Sequence, residues 1–164
     1  PKGNEIANVL VHAWDPAQNA EFQDMYFNGV PIDLRGALVI GSVNDAQRLN
    51  PILRNRVKVL RVPGYSPDEK AVIARRYMVP ALCNTIGVEG ITFHPEAVQE
   101  VVRWSRDEPG VRMLRQDLES LMLKMNVLRH YTDVPYAIEG FSLPREVSVD
   151  DLAVLRRGPM RAAS

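Results

Sequence analysis

Val57-Lys58-Val59-Leu60-Arg61-Val62-Pro63-Gly64-Tyr65-Ser66-Pro67-Asp68-Glu69-Lys70 is where the character of the chain changes. Up to Val62 the run is rich in valine and reads as a strand. Pro63-Gly64 ends it. Ser66-Pro67-Asp68-Glu69 then opens a helix. The serine oxygen can accept from the third helical amide, and the glutamate can reach back to the serine's own N–H. Proline suits the first helical position, where an N–H would have no partner. The chain therefore divides at Val62-Pro63 into an α/β part, 1–62, and a mainly α part, 63–164.

Moving toward the N-terminus, residues 57–62 follow a short helix over 52–56, opened by Asn50-Pro51. Ahead of it, 37–43 is a continuous apolar run that reads as a second strand, this one buried on both faces of a parallel sheet. Strand, short helix, strand is an α/β order. Residues 30–34 alternate like a brief extended segment, and 18–29 read as a loop or short hairpin. An apolar helix over 6–13 ends at Asp15-Pro16, because proline excludes the helical conformation from the residue before it.

Toward the C-terminus, the helix from Ser66 carries Ala71, Val72, Ile73, Ala74 and Tyr77 until Pro80 breaks or kinks it. His94-Pro95-Glu96 starts another, with Ala97, Val98, Val101 and Val102 on one stripe. Leu114, Leu118, Leu121, Met125 and Leu128 recur at helical spacing and mark the longest helix, 110–131. Residues 146–149 read as a short strand, and Asp150 or Asp151 as the cap of a helix running to Leu155.

Twenty basic side chains balance twenty acidic ones, so no global field draws in a phosphate backbone. Cys83 is the sole cysteine; in the run Ala81-Leu82-Cys83 it reads as a small core residue. No apolar stretch approaches the roughly 20 residues of a membrane span. The start, Pro-Lys-Gly-Asn-Glu, is no signal peptide and has no initiating Met, which fits an excised piece in a reducing, soluble compartment. The lysines Lys2, Lys58, Lys70 and Lys124 follow no glycine, so a phosphate-cradling loop is absent. No strand ends in an Asp-Glu pair suited to magnesium. His12, His94 and His130 are too scattered for a zinc site. Ser66/Lys70 and Ser120/Lys124 have the spacing of a nucleophile and its base. The simpler reading makes Ser66 a helix cap and Ser120/Lys124 a polar face.

Taken in order, these segments resemble the Lon protease family. Trp14-Asp15-Pro16-Ala17-Gln18-Asn19, continuing to Tyr26, is similar to L-D-P-E-Q-N-x-x-F-x-D-H-Y. Ile40-Gly41-Ser42-Val43-Asn44 matches an apolar strand ending T-A-N. Leu53-Arg54-Asn55-Arg56 followed by Val57-Lys58-Val59-Leu60 matches L-x-D-R-M-E-V-I, and residues 63–70 match S-G-Y-T-x-x-E-K. Residues 73–80 resemble I-A-x-R-x-L-x-P, and 107–115 resemble R-E-A-G-V-R-x-L-x-R. The departures are Asn55 for Asp, Val57 for Met, Ser42-Val43 for Thr-Ala, and Asp107-Glu108-Pro109 ahead of Gly110-Val111-Arg112.

The resemblance implies an α/β plus mainly α chain. Residues 1–62 would be the C-terminal portion of an AAA+ large subdomain. Residues 63–164 would be its helical-bundle small subdomain with a short two-stranded sheet. It implies a parent that is an ATP-dependent serine endopeptidase, built as a hexameric ring of identical subunits and acting on misfolded proteins, with ATP or ADP and magnesium as cofactors. Asn44 would take the sensor-1 role, Arg56 that of an arginine finger reaching a neighbouring subunit's nucleotide, and Arg112 that of sensor 2. Tyr65 would lie at the adenine end. The piece itself would lack the phosphate loop and the catalytic serine, and would be inactive alone. Arginine forks suit the charge of a transferring phosphoryl group. Residues 76–80 are closer to the mitochondrial branch, which implies the mitochondrial matrix, with bacterial cytoplasm and peroxisome as alternatives. A stand-alone adaptor module, a DNA-contacting subdomain and an AAA+ clamp-loader or chaperone subunit are the rival readings.

Overall fold

The computed structural model describes residues 2–24, 26 and 29–157, with backbone alone for 2–4. Met25, Phe27 and Asn28, within the loop read over 18–29, lie outside the described residues. The chain forms two compact units, Pro1–Val62 and Pro63–Ser164. It is helix-rich, with two separate two-stranded sheets.

In the first unit, α1 (Lys2–Trp14) stops just before Asp15-Pro16, where the pre-proline restriction ends it. The Asp15 side chain then closes a turn, accepting from Ala17 N–H at 3.1 Å. β1 (Phe22–Gln23) and β2 (Pro31–Ile32) pair antiparallel, Phe22 opposite Ile32. α2 (Pro51–Arg54) is capped by Asn50, whose Oδ1 accepts from Ile52 N–H at 2.9 Å. Among the described residues of this unit, the buried apolar side chains are Ala7 and Leu53.

The two strands expected at 37–43 and 57–62 do not form: neither stretch pairs with a strand among the described residues. Leu38, Ile40 and Val62 are 86 %, 85 % and 89 % exposed. The physical reason is plain. A strand of a parallel sheet needs neighbours to take up its N–H and C=O groups, and the described residues of 1–62 supply none to these runs.

The second unit carries the main core. α3 (Pro67–Ile73) begins at the Ser66/Glu69 capping box. It passes through a π-helical turn, Ala74–Met78, into α4 (Val79–Ile86). Pro80 has no N–H to donate and its ring would strike the carbonyl four residues back. The helix accommodates this by widening, with Val79 N–H donating to Ala74 C=O. Gly87, at φ +73°, closes α4 in the left-handed conformation. α5 (Pro95–Trp104) buries Ala97, Val98, Val101 and Val102, and α6 (Arg112–Leu128) buries Leu114, Leu118, Leu121, Met125 and Leu128. Both stripes are those read from the sequence.

β3 (Ile91–Phe93) and β4 (Arg145–Val147) pair in parallel, Phe93 beside Val147. β3 had no counterpart in the sequence reading. α7 (Val149–Leu155) starts with a second capping box, Ser148 with Asp151. Ser148, not Asp150 or Asp151, is therefore the cap; serine has the shorter reach to the third helical amide, and Asp151 serves as the reciprocal acceptor. Arg145 clamps the same carboxylate from β4, Nη2 to Oδ1 at 2.6 Å and Nε to Oδ2 at 3.1 Å.

Candidate functional site

In the second unit, Tyr65 and Arg112 lie at opposite ends of a short chain of contacts. Arg112 is exposed in the first turn of α6. The amides of that turn have no helical partners. Glu108 takes two of them: Oε1 accepts from Arg112 N–H at 3.1 Å and Oε2 from Met113 N–H at 2.8 Å. Its negative charge also sits well against the positive end of the helix. The backbone of the Glu108-Pro109 loop is gripped in turn. Tyr65 N–H donates to Pro109 C=O at 2.9 Å. Lys70 Nζ donates to Ser105 C=O at 3.1 Å and to Glu108 C=O. The Tyr65 side chain remains about half exposed.

In the first unit, Asn44 sits exposed at a bend. The next residue, Asp45, caps the following short turn by accepting from Gln47 N–H at 2.9 Å. Arg56 follows α2 and donates from Nη1 to Asp15 Oδ2 at 2.8 Å, a pair 41 residues apart in sequence. The two side chains are 33 % and 15 % exposed. Asp15 thus serves twice, its Oδ1 on the Ala17 amide and its Oδ2 on the guanidinium. It accepts from Nη1 of the guanidinium, a planar fork of five N–H donors. Neighbouring Asn19 holds a buried side-chain oxygen, Oδ1, with no hydrogen-bond partner among the described residues.

Sequence reasoning gave Asp15 and Glu108 no role, and it paired Lys70 with Ser66 as base and nucleophile, where the structure instead turns its ammonium onto the Ser105 and Glu108 carbonyls. Glu108 had a readable signal, an acidic residue just ahead of a helix start. Asp15 lay inside a quoted motif with no role attached. Lys124, read as part of a polar face, is in fact 7 % exposed. Its Nζ donates to Leu155 C=O at 2.7 Å and lies over the Tyr136 ring. Burial holds its ammonium below the ordinary lysine range. A carbonyl at the end of α7 provides the acceptor that a solvated face would otherwise supply. Ser66 is the expected cap. Cys83 is partly buried against the core, and burial raises its thiol above the usual range, which disfavours the thiolate.

Among the described residues no group of three or more His, Cys, Asp and Glu side chains could hold a metal ion, and no helix is long and apolar enough to cross a membrane. Arg112 leaves its guanidinium exposed, and Tyr65 its ring about half exposed. Two of the amides at the Arg112 helix start, where an anion could otherwise sit, are already taken by Glu108.

The molecule is thus a mixed α/β chain of two units, each presenting an arginine held at the start or end of a helix. No family model matches it. It is 36 % identical over 136 residues to a Lon protease homolog of Acanthamoeba polyphaga mimivirus, covering 81 % of this chain and 13 % of the relative. It is 33 % identical over 155 residues to the Lon protease of Desulfovibrio desulfuricans, covering 93 % of this chain and 17 % of the relative. A mitochondrial Lon protease homolog of Phaeodactylum tricornutum is 34 % identical over 123 residues, 73 % of this chain and 14 % of the relative. The chain belongs to the Lon protease family, and it spans between 13 % and 17 % of the length of these relatives.

Proposed function

We propose that this chain is part of the ATPase motor of a Lon-type ATP-dependent serine protease, in which it senses nucleotide and passes the motion on. Pro1–Val62 would be the end of the AAA+ large subdomain and Pro63–Ser164 the small helical subdomain. The observation that carries the reading is the alignment to a Lon protease along 93 % of the chain. That span includes the exposed Arg112 on its capped turn and the Asp15-held Arg56.

Each site residue has a role suited to its setting. Arg112 and Tyr65 hold nucleotide within one subunit, the guanidinium toward phosphate and the ring toward the base. Arg56, with one nitrogen steadied by Asp15, offers its other donors to the nucleotide of a neighbouring subunit. The Asn44 carboxamide, donor and acceptor at once, holds a water. Bound ATP and magnesium would supply the phosphoryl group and its neutralising charge. The parent would form a hexameric ring of identical subunits and act on misfolded proteins. Its compartment would be the mitochondrial matrix, or alternatively the bacterial cytoplasm or peroxisome; two relatives are named as mitochondrial and peroxisomal.

Mixing Arg56→Ala subunits with wild-type subunits of the intact protein tests the central roles. An arginine finger acting in trans is worth about a thousandfold or more in kcat. A mutant subunit should therefore silence its neighbour's ATP turnover and not its own. Loss confined to the mutant subunit's own site would overturn the assignment.

A second reading has its own observation. The exposed apolar runs at 37–43 and 57–62 are surface that wants covering, as in a stand-alone adaptor that docks a partner. Weak DNA contact is a further partner, for which the balanced charge supplies no driving field.

A further inference from the structure

Lys70 places an ammonium group in the interior, at 3 % exposure. A buried charge is costly unless it is well bonded. Here both acceptors that are described belong to one loop, the carbonyls of Ser105 and Glu108. The same loop is tied to the same stretch twice more. Tyr65 N–H donates to Pro109 C=O. Gly64 packs so closely that a Cβ there would lie 2.8 Å from the Pro109 oxygen and 2.9 Å from its Cβ. On its other side the loop ends in the Glu108 carboxylate, which holds the Arg112 and Met113 amides. Residues 64–70 and the first turn of α6 are thus fastened together through one short loop.

We propose that Gly64, Lys70 and Glu108 act as positioning residues that fix the separation and orientation of Tyr65 and Arg112, so that both meet one nucleotide at a set spacing. This rests on the reading of Tyr65 and Arg112 as nucleotide contacts. The contact chain explains why an exposed arginine can be placed accurately. Its backbone is held by a carboxylate, the carboxylate's loop by a buried lysine, and the lysine's own segment carries the tyrosine. Glu108 also takes two of the amides at that helix start, which leaves more of a ligand's negative charge to the Arg112 guanidinium. None of the three residues needs to touch the ligand.

The test is steady-state ATP hydrolysis by the intact protein, with affinity for a fluorescent ADP and melting temperature measured alongside. Arg112→Ala should raise the KM for ATP and weaken ADP binding. Glu108→Gln and Lys70→Met should raise KM by about tenfold, within the roughly hundredfold that a misplacement near 1 Å carries, with kcat little changed. Gly64→Ala should do the same by pushing the loop away. Combining Glu108→Gln with Arg112→Ala should add nothing to Arg112→Ala alone, since one acts through the other. Lys70→Met is an interior change and Gly64→Ala strikes the Pro109 backbone, whereas Glu108 is half-buried, so Glu108→Gln keeps the test open if the others fail to fold. If Arg112→Ala leaves KM and ADP affinity intact, the nucleotide-contact reading falls and the positioning role falls with it. If Arg112→Ala acts but Glu108→Gln is silent, or its effect simply adds, the positioning role alone is overturned.

Discussion

Asp151 shows how one side chain can set both local structure and pH response. Burial raises its carboxyl pKa, but the Arg145 fork and the Ser148 amide and hydroxyl outweigh this and hold it below the usual 3.8. A carboxylate whose folded pKa lies below its unfolded one stabilises fully above the unfolded value. That contribution is lost as pH falls through the folded value. Asp151→Asn should cost about 2 kcal/mol near pH 7, the scale of hydrogen bonds to a charged group. Its deficit against wild type should shrink in urea unfolding near pH 3. A deficit that stays constant between the two would show that charge at Asp151 is not what holds β4 to α7. Serine and aspartate three apart are visible in sequence as a capping box; Arg145, reaching in from the neighbouring strand, is not. Lys70 and Lys124 make the same point more sharply. Lysine reads as surface, and only carbonyls far along the chain, at Ser105, Glu108 and Leu155, turn it inward.

At the scale of elements, what was legible was local. Asn50-Pro51, Ser66-Pro67-Asp68-Glu69 and His94-Pro95 each announce a helix within a few residues, and each helix begins there. The α6 stripe was readable because periodicity needs no partner. β3 escaped because Ile91-Thr92-Phe93 is too short to show alternation, and its partner is β4, far along the chain. The runs at 37–43 and 57–62 were readable as apolar but not as unpaired, since pairing depends on partner strands that an apolar run does not itself reveal. That difference predicts how the two units behave apart. Residues 63–164 bury a continuous core of leucines, valines and methionines and should unfold cooperatively alone. Residues 1–62 bury only Ala7 and Leu53 among their described apolar side chains, too little to offset chain entropy. They should show no cooperative transition by circular dichroism. A sharp transition from 1–62 alone would mean that its exposed runs find partners within the unit.

At the scale of the whole molecule, family and site were legible to different depths. The ordered motifs pointed to Lon proteases, and the relatives match over most of the chain. The candidate arginines were readable as positions, but not what holds them, because Asp15 and Glu108 act through geometry that no spacing rule reveals. The two units carry complementary halves of the proposed role, Asn44 and Arg56 in one, Tyr65 and Arg112 in the other. Protein degradation by the intact protein, with and without ATP, beside the 164-residue chain alone, tests this most directly. The account predicts ATP-dependent breakdown of an unfolded protein by the intact form, and neither ATP turnover nor cleavage by the isolated chain. Brisk ATP turnover by the isolated chain, or an intact protein that degrades nothing when ATP is supplied, would contradict it.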